Sequence, residues 1–127
     1  MLLYSENILP NEICICARKN NEVDEIKKAL NASNIKYLDL SSLKQNLNAV
    51  NVSTFHNIKG HEFKIVFVKG MSDNTIPFKH SNYSNFTNKE KAIYDQQERS
   101  LYYVVFSRAI KSVIITGIGE KSIWIDI

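Results

Sequence analysis

The chain has 127 residues, of which 44% are hydrophobic and 23% are charged. That length accommodates one domain with one modest core, and the composition excludes extensive disorder. Sixteen Lys and Arg against thirteen Asp and Glu give a formal net charge of +3, which is compatible with a polyanionic partner but too small to identify one.

The pattern of the amino-terminal third predicts a strand, a helix and a second strand. The apolar stretch 13–17 has the length and flanks of a short buried strand. Asn20 or Asn21 can cap a helix over about residues 22–30, where apolar side chains recur at helical spacing. Residues 34–40 then predict a second, shorter strand.

The two cysteines of the first strand, Cys14 and Cys16, alternate with isoleucines. Period-two alternation places both thiols on one face of the strand, which suits a core better than a disulfide. The spacing of the Cys and His residues matches no zinc pattern, so we expect no metal site. The chain shows no signal peptide and no apolar run of 18 residues, and we expect a cytoplasmic protein without a membrane segment.

The middle of the chain contains two more strands. Residues 41–47 read as a turn or a very short helix, and residues 50–54 predict a third strand. Residues 64–70 predict a fourth strand that is apolar on both faces, as in the centre of a parallel sheet. Residues 71–91 are rich in Asn and Ser and predict an exposed loop.

The last third predicts a long helix and a further strand. Apolar residues fall near helical spacing over 91–109, with Glu98 among the charged side chains expected on the water-facing side. Residues 112–117 predict a buried strand, and 122–127 predict an edge strand or a tail. The alternation of strands and helices indicates an α/β domain of three layers with a mainly parallel sheet.

Ligands of such sheets collect at the carboxyl ends of the strands. Three polar stretches are expected at that edge: "CARKN" at 16–20, "TFHNIKGHEF" at 54–63 and "SRA" at 107–109. The sequence therefore places its candidate site residues together at one edge of the sheet.

Each of these residues also has an ordinary structural interpretation. Arg18 follows a buried strand and could reach a phosphate, or it could be a surface arginine beside a helix start. Arg108 closes the long helix, where any cation complements the helix carboxyl terminus. Gly60 permits a close backbone approach, and Lys59 and His56 offer donors to a phosphate or a base, but the same loop could be a solvated connection.

In chain order the stretches resemble the second RecA-like motor domain of UvrD/Rep-type superfamily-one DNA helicases, a P-loop NTPase-like fold. Residues 13–37 are similar to motif IV of that family, 50–70 to motif V, and 96–117 to motif VI. The resemblance covers roughly residues 12–117. The span between the first two motifs leaves no room for the large inserted accessory domain of the longest members, so the chain resembles the short form.

The resemblance implies ATP with Mg²⁺ bound between this domain and an N-terminal RecA-like domain of the same full-length protein. By motif position Arg18 and Arg108 would reach the γ-phosphate, with Arg108 as the arginine finger. Gly60 and Glu62 would lie on the nucleotide side, with Glu62 accepting a hydrogen bond from the ribose. Lys59 would serve either the nucleotide or the nucleic acid.

The resemblance also implies a track for single-stranded DNA, with Thr54 and His56 contacting the strand. Two departures from the family pattern are mild. His61 stands where the family usually has an apolar residue, and Ser107 stands where it usually has threonine.

The larger departure is that the chain has no phosphate loop. Its four glycines cannot supply G-x-x-x-x-G-K-[ST], and no acidic pair follows a strand as a Mg²⁺-binding Walker B motif requires; the glycines are Gly60, Gly70, Gly117 and Gly119. We therefore expect that the chain does not ligate Mg²⁺ and does not hydrolyse ATP alone. The alternative is a stand-alone, non-catalytic module that binds single-stranded nucleic acid or a partner ATPase.

Overall fold

The computed structural model describes residues 8–42, 44–69 and 82–115. Within them, five strands and two α-helices form the domain, and short 3₁₀ turns occur at Pro10–Glu12 and Tyr83–Asn85. The strands are β1 (Ile13–Ala17), β2 (Tyr37–Asp39), β3 (Val50–Thr54), β4 (Phe63–Val68) and β5 (Ala109–Ile115). The helices are α1 (Asn20–Ala32) and α2 (Asn88–Ser107).

The five strands form one sheet in the order β2-β3-β1-β4-β5, and each neighbouring pair is parallel. The predicted α/β architecture is therefore confirmed. We call the edge where strands end the carboxyl edge, marked by Ala17, Thr54, Val68 and Ile115. We call the opposite edge the amino edge, marked by Ile13, Val50, Phe63 and Ala109.

In the described part of the chain, one helix packs on each face of the sheet. On one face, α1 buries Val23, Ile26 and Leu30, which share a helical stripe and pack in one core cluster with residues of β1, β3 and β4. On the other face, α2 buries Tyr102 and Val105 in a second cluster. Because the sheet separates the two clusters, the domain has three layers.

Alternation along β1 sends its side chains to both cores. Cys14 and Cys16 belong to the cluster under α2, whereas Ile13 and Ala17 belong to the cluster under α1. The predicted placement of both cysteines on one face is confirmed. Burial raises the pKa of both thiols, so at neutral pH they are protonated core groups and poor nucleophiles.

The predicted bounds of β1 and β3 match the structure, but both helices begin earlier than predicted. The helix α1 begins at Asn20, so the asparagines predicted as caps lie inside it and Lys19 is the N-cap. The helix α2 begins at Asn88 because Thr87 and Glu90 form a capping box, a signal that the hydrophobic pattern does not contain.

Other predictions differ at the ends of the elements. The second strand is shorter than predicted, Tyr37–Asp39, and the described residues of 41–47 form turns rather than a helix. The last strand begins at Ala109, where α2 was predicted to continue. The predictions for residues 71–81, 116–117 and 122–127 lie outside the described residues.

One prediction about α2 is wrong in a way that matters for the site. Glu98 was expected to face water, but it is only 5% exposed. Glu98, Tyr102 and Val105 recur at positions i, i+4 and i+7, so the carboxylate lies on the buried stripe of the helix.

Candidate nucleotide and nucleic-acid site

At the amino edge, Glu62 and Arg108 are brought side by side by the pairing of β4 with β5. Arg108 is the C-cap of α2 and immediately precedes β5. Its carbonyl oxygen accepts a hydrogen bond from the Phe63 N–H, with an N···O distance of 2.9 Å. Since Glu62 directly precedes Phe63, the two candidate residues flank the same backbone hydrogen bond.

Among the described residues, the charged ends of Glu62 and Arg108 form no ion pair. The half-buried Arg108 donates from Nε to the Val104 carbonyl oxygen at 3.4 Å, and no carboxylate of residues 8–42, 44–69 or 82–115 pairs with it. The Glu62 carboxylate is exposed and has no hydrogen-bond or ion-pair partner within those same ranges. This edge therefore offers an open cation and an open acceptor to a ligand.

Beside Glu62 lies a cavity of about 410 Å³ with a polar lining. Its lining includes His61, Glu62, Asn11 and Asn51. The Asn51 side-chain amide donates to the Asn11 carbonyl oxygen at 3.1 Å, while Asn11 Oδ1 is buried and has no partner among the described residues. Such a lining suits a ligand that carries hydroxyl or amino groups.

The loop from residue 55 to residue 62 connects the carboxyl edge to the amino edge. Phe55 and Ile58 are fully buried and anchor it, while His56 and Lys59, which directly follow them, are exposed. Gly60 has φ +87°, and apart from its chain neighbours no described residue has an atom within 4 Å of the position of a Cβ there. The backbone angle, and not lack of space, is what requires a glycine.

The loop is tied to the carboxyl edge by Phe55. Its N–H donates to the Ala17 carbonyl oxygen at 3.0 Å, and its ring packs edge-on against Tyr102 at a centroid distance of 5.4 Å. Thr54 ends β3 opposite Ala17, and its Oγ1 accepts from the Asn57 N–H at 3.3 Å. Thr54 and His56 therefore lie at the carboxyl edge, away from Glu62.

Arg18 also lies at the carboxyl edge, where it is bound to Glu98 by two hydrogen bonds. Nε contacts Oε2 at 3.1 Å and Nη2 contacts Oε1 at 2.5 Å, with side-chain exposures of 13% for Arg18 and 6% for Glu98. Burial disfavours the charged guanidinium, but the hydrogen bonds and charge of Glu98 outweigh burial and raise the pKa of Arg18.

The prediction that Arg18 and Arg108 converge at one edge of the sheet is wrong. Arg18 follows a strand, whereas Arg108 precedes one, and in a parallel sheet these positions are opposite. The six residues of β4 separate the two edges by roughly 17 Å. The prediction that all three polar stretches share the carboxyl edge fails for the same reason.

Two features are absent from the part of the chain that the structure describes. No three His, Cys, Asp or Glu side chains there are grouped so as to hold a metal ion. Neither α1 nor α2 combines the length and the apolar character needed to cross a bilayer. The expectation that the chain ligates no metal stays a prediction.

Comparison with known proteins identifies the family. The pattern of the UvrD-like helicase C-terminal domain matches residues 33–120. The chain belongs to this family. A solved structure, the C-terminal domain of a possible DNA helicase from Lactobacillus plantarum WCFS1, has the same fold with a TM-score of 0.67 and 21% identity. The alignment covers 96% of this chain and 63% of that chain. No curated protein matches the chain.

The UvrD-like family match divides the candidate residues into two groups. It includes the stretches 50–70 and 96–117, and with them Glu62 and Arg108. Arg18 lies outside it. The predicted resemblance to a UvrD-like C-terminal domain is confirmed, whereas a direct role for Arg18 at the nucleotide is supported neither by the family match nor by its position at the carboxyl edge.

Proposed function

We propose that this UvrD-like domain is the C-terminal half of an ATP-dependent DNA helicase or translocase and that its amino edge closes on ATP held by an N-terminal RecA-like domain. One observation carries the proposal. Glu62 and Arg108 lie side by side at that edge, and within the described ranges neither is neutralised by another charged side chain. An open cation next to an open acceptor matches a nucleotide, which has an anionic end and a hydroxylated end.

Arg108 is the arginine finger in this proposal. A guanidinium that reaches the γ-phosphate stabilises the charge that develops on the transferred phosphoryl group, an effect of about 10³–10⁵ in rate in comparable NTPases. Its planar fork can hold two phosphate oxygens at once, which the ammonium of lysine cannot. The backbone of Arg108 is held at the end of a packed helix, and its Nε donates to the Val104 carbonyl oxygen.

Glu62 holds the nucleoside end of ATP in this proposal. Its carboxylate accepts hydrogen bonds from the ribose hydroxyls, and the cavity next to it gives the ribose a polar surface. Gly60 contributes through the backbone, because its positive φ permits the turn that precedes the exposed Glu62. Lys59 is exposed on the same loop and is available to either ligand.

The phosphate loop and the Mg²⁺ ligands come from the N-terminal domain, since this chain's glycines cannot form that loop. When bound, Mg²⁺ neutralises charge on the β- and γ-phosphates. The residues of this chain then bind the ribose and place the guanidinium, and they exclude water by closing the interface.

Thr54 and His56 form part of the track for single-stranded DNA at the carboxyl edge. The Thr54 hydroxyl and the exposed His56 ring are groups that contact phosphates and stack on bases. Nucleotide and nucleic acid then bind at opposite edges of one sheet. The loop 55–62 joins the two sites, and its buried Phe55 and Ile58 make it stiff.

The test is single-strand-stimulated ATP hydrolysis by the protein that carries this chain together with a phosphate-loop domain. Arg108→Ala is expected to lower kcat by about 10³ or more with little change in the KM for ATP, because the finger acts on the transition state. Arg99→Ala, an exposed arginine on the same helix, is the matched control and should stay near the wild-type rate. Equal rates for Arg108→Ala and the wild type would refute the finger.

A further inference from the structure

The Arg18–Glu98 ion pair joins the end of β1 to the helix that carries Arg108. The two residues are far apart in the chain, and their side chains are nearly enclosed. Both oxygens of the carboxylate are engaged by the same guanidinium. Such a bidentate contact fixes orientation as well as distance.

Glu98 interrupts the apolar stripe of α2, although an apolar residue there would fill the space without the need for a buried partner. Tyr102 and Val105 continue the stripe and contact the core. Apolar packing is not directional, so it holds a helix against a sheet more firmly than it fixes the position of the helix along its own axis. A buried, bidentate ion pair is directional, and it fixes that position.

The geometry connects this fixed point to the finger. Arg108 lies ten positions after Glu98, which is about 15 Å of α-helix. The helix is held at Glu98 by Arg18 at the carboxyl edge and at Arg108 by the Phe63 N–H at the amino edge. A shift of the helix at the first point is transmitted to the second, because the helix between them is continuous.

We propose that Arg18 is a positioning residue for Arg108: through Glu98 it sets the axial position of α2 and hence the reach of the Arg108 guanidinium. Arg18 itself does not touch the nucleotide. This inference rests on the proposed function for Arg108, and it replaces the role of a second finger that the sequence suggested for Arg18.

The first test uses apolar replacements and a charge exchange in the protein that carries this chain together with a phosphate-loop domain. Arg18→Met and Glu98→Met should each lower kcat about tenfold or more, because a displacement of a catalytic group by ~1 Å can slow a reaction by about 10². The double variant with the two charges exchanged, Arg18→Glu with Glu98→Arg, should recover most of the rate, because it restores a directional ion pair between the end of β1 and α2. A double variant as slow as Arg18→Met would overturn the proposal, because a finger cannot be rescued by changing Glu98.

Rates are corrected for the folded fraction, measured by circular dichroism at the assay temperature. The matched control is Lys27→Met, which removes the Lys27–Asp39 ion pair between α1 and β2 on the other side of the sheet. It should leave kcat per folded molecule unchanged. If it lowers kcat as much as Arg18→Met does, the effect is general loss of stability and the positioning role is refuted.

A second measurement covers the case in which the methionine variants do not fold. Arg18→Lys and Glu98→Gln are conservative, and hydrogen exchange of the Arg108 N–H, which donates to the Val105 carbonyl oxygen, reports on the last turn of α2. Exchange should be faster in both variants than in Lys27→Met. Unchanged exchange of the Arg108 N–H in both variants would overturn the positioning role of Arg18. A wild-type rate of ATP hydrolysis in Arg108→Ala would instead refute only the assignment of Arg108 as the arginine finger.

Discussion

The arginines at the two edges of the sheet differ in charge pairing. At the carboxyl edge, Arg18 is enclosed and its charge is matched by Glu98. At the amino edge, Arg108 and Glu62 lie beside each other, and no ion pair with either is seen among the residues that the structure describes. A cation that is paired with a carboxylate of the same domain contributes to the fold, whereas a cation without such a partner is available to a ligand.

The comparison also shows where the two edges are connected. The loop 55–62 begins beside Thr54 at the carboxyl edge and ends at Glu62 at the amino edge. The helix α2 is held at Glu98 near the carboxyl edge and reaches the amino edge at Arg108. In the proposed function, these two segments link the site for the bound strand to the site for the nucleotide.

The largest loss of stability is expected at Phe55, which joins the loop 55–62 both to the end of β1 and to α2. Phe55 is fully buried, is hydrogen-bonded to Ala17 and packs on Tyr102 of α2. Phe55→Ala should lower the free energy of unfolding by about 3–5 kcal/mol, because it removes apolar contacts and leaves a cavity. Urea unfolding followed by circular dichroism measures this loss.

The control for Phe55→Ala is Ile110→Ala. Ile110 is 66% exposed on β5, so its truncation should change the free energy of unfolding by no more than about 0.5 kcal/mol. Similar losses in the two variants would mean that Phe55 is not the anchor of the loop.

The next prediction separates the ligands of the two edges. In the protein with its phosphate-loop domain, Glu62→Ala should raise the KM for ATP about tenfold, the scale of one lost hydrogen bond to a charged group. His56→Ala should weaken binding of a fluorescent oligonucleotide about tenfold at fixed salt, the scale of one lost stacking contact.

Each variant is the control for the other. Glu62→Ala should leave oligonucleotide binding nearly unchanged, and His56→Ala should do the same for the KM for ATP. If both variants lose both ligands equally, the assignment of one ligand to each edge fails.

The sequence contains most of the fold because its strands are short, apolar and well separated. The stretch 13–17 predicts β1 without error because polar residues flank it, and the stretch 50–54 predicts β3 because Val50 and Val52 alternate with polar residues. The start of α2 was missed because Thr87 and Glu90 signal it through capping and not through apolar periodicity. The start of β5 was missed because the apolar pattern continues past Arg108.

The site was harder to predict because a motif gives residue types and order but not the edge on which each residue lies. Arg18 and Arg108 look alike as arginines next to apolar stretches, yet one follows a strand and the other precedes one. The carboxylate that distinguishes them is Glu98. Glu98 shares a helical stripe with Tyr102 and Val105, at positions i, i+4 and i+7. This spacing is the signal in the sequence that predicts a buried carboxylate, which requires a cation as its partner.

A smaller effect is expected at the amino terminus of α2, which lies beyond Glu98 toward the carboxyl edge. Thr87 Oγ1 accepts from the Glu90 N–H at 3.1 Å, and the Thr87 N–H donates to Glu90 Oε1 at 2.9 Å. Thr87→Ala should lower the free energy of unfolding by about 1 kcal/mol. Ser100→Ala, exposed in the middle of the same helix, should raise it by a few tenths, at about the difference in helix propensity. Equal losses of unfolding free energy in Thr87→Ala and Ser100→Ala, measured by urea unfolding, would show that the Thr87 cap does not stabilise the helix.

The smallest effect concerns pH and the pair of Asp39 with Lys27. Burial raises the pKa of Asp39, but hydrogen bonds from Lys27 and Ser41 outweigh burial and hold the pKa below its ordinary value. Because the folded pKa is the lower one, this stabilisation is present above about pH 5 and is lost as pH falls through the folded pKa. The pair is partly exposed, so the loss should be only a few tenths of a kcal/mol. Asp39→Asn should remove that part of the acid sensitivity, measured as the difference in urea midpoint between pH 6 and pH 3. Parallel decreases in both proteins would show that Asp39 contributes nothing to it.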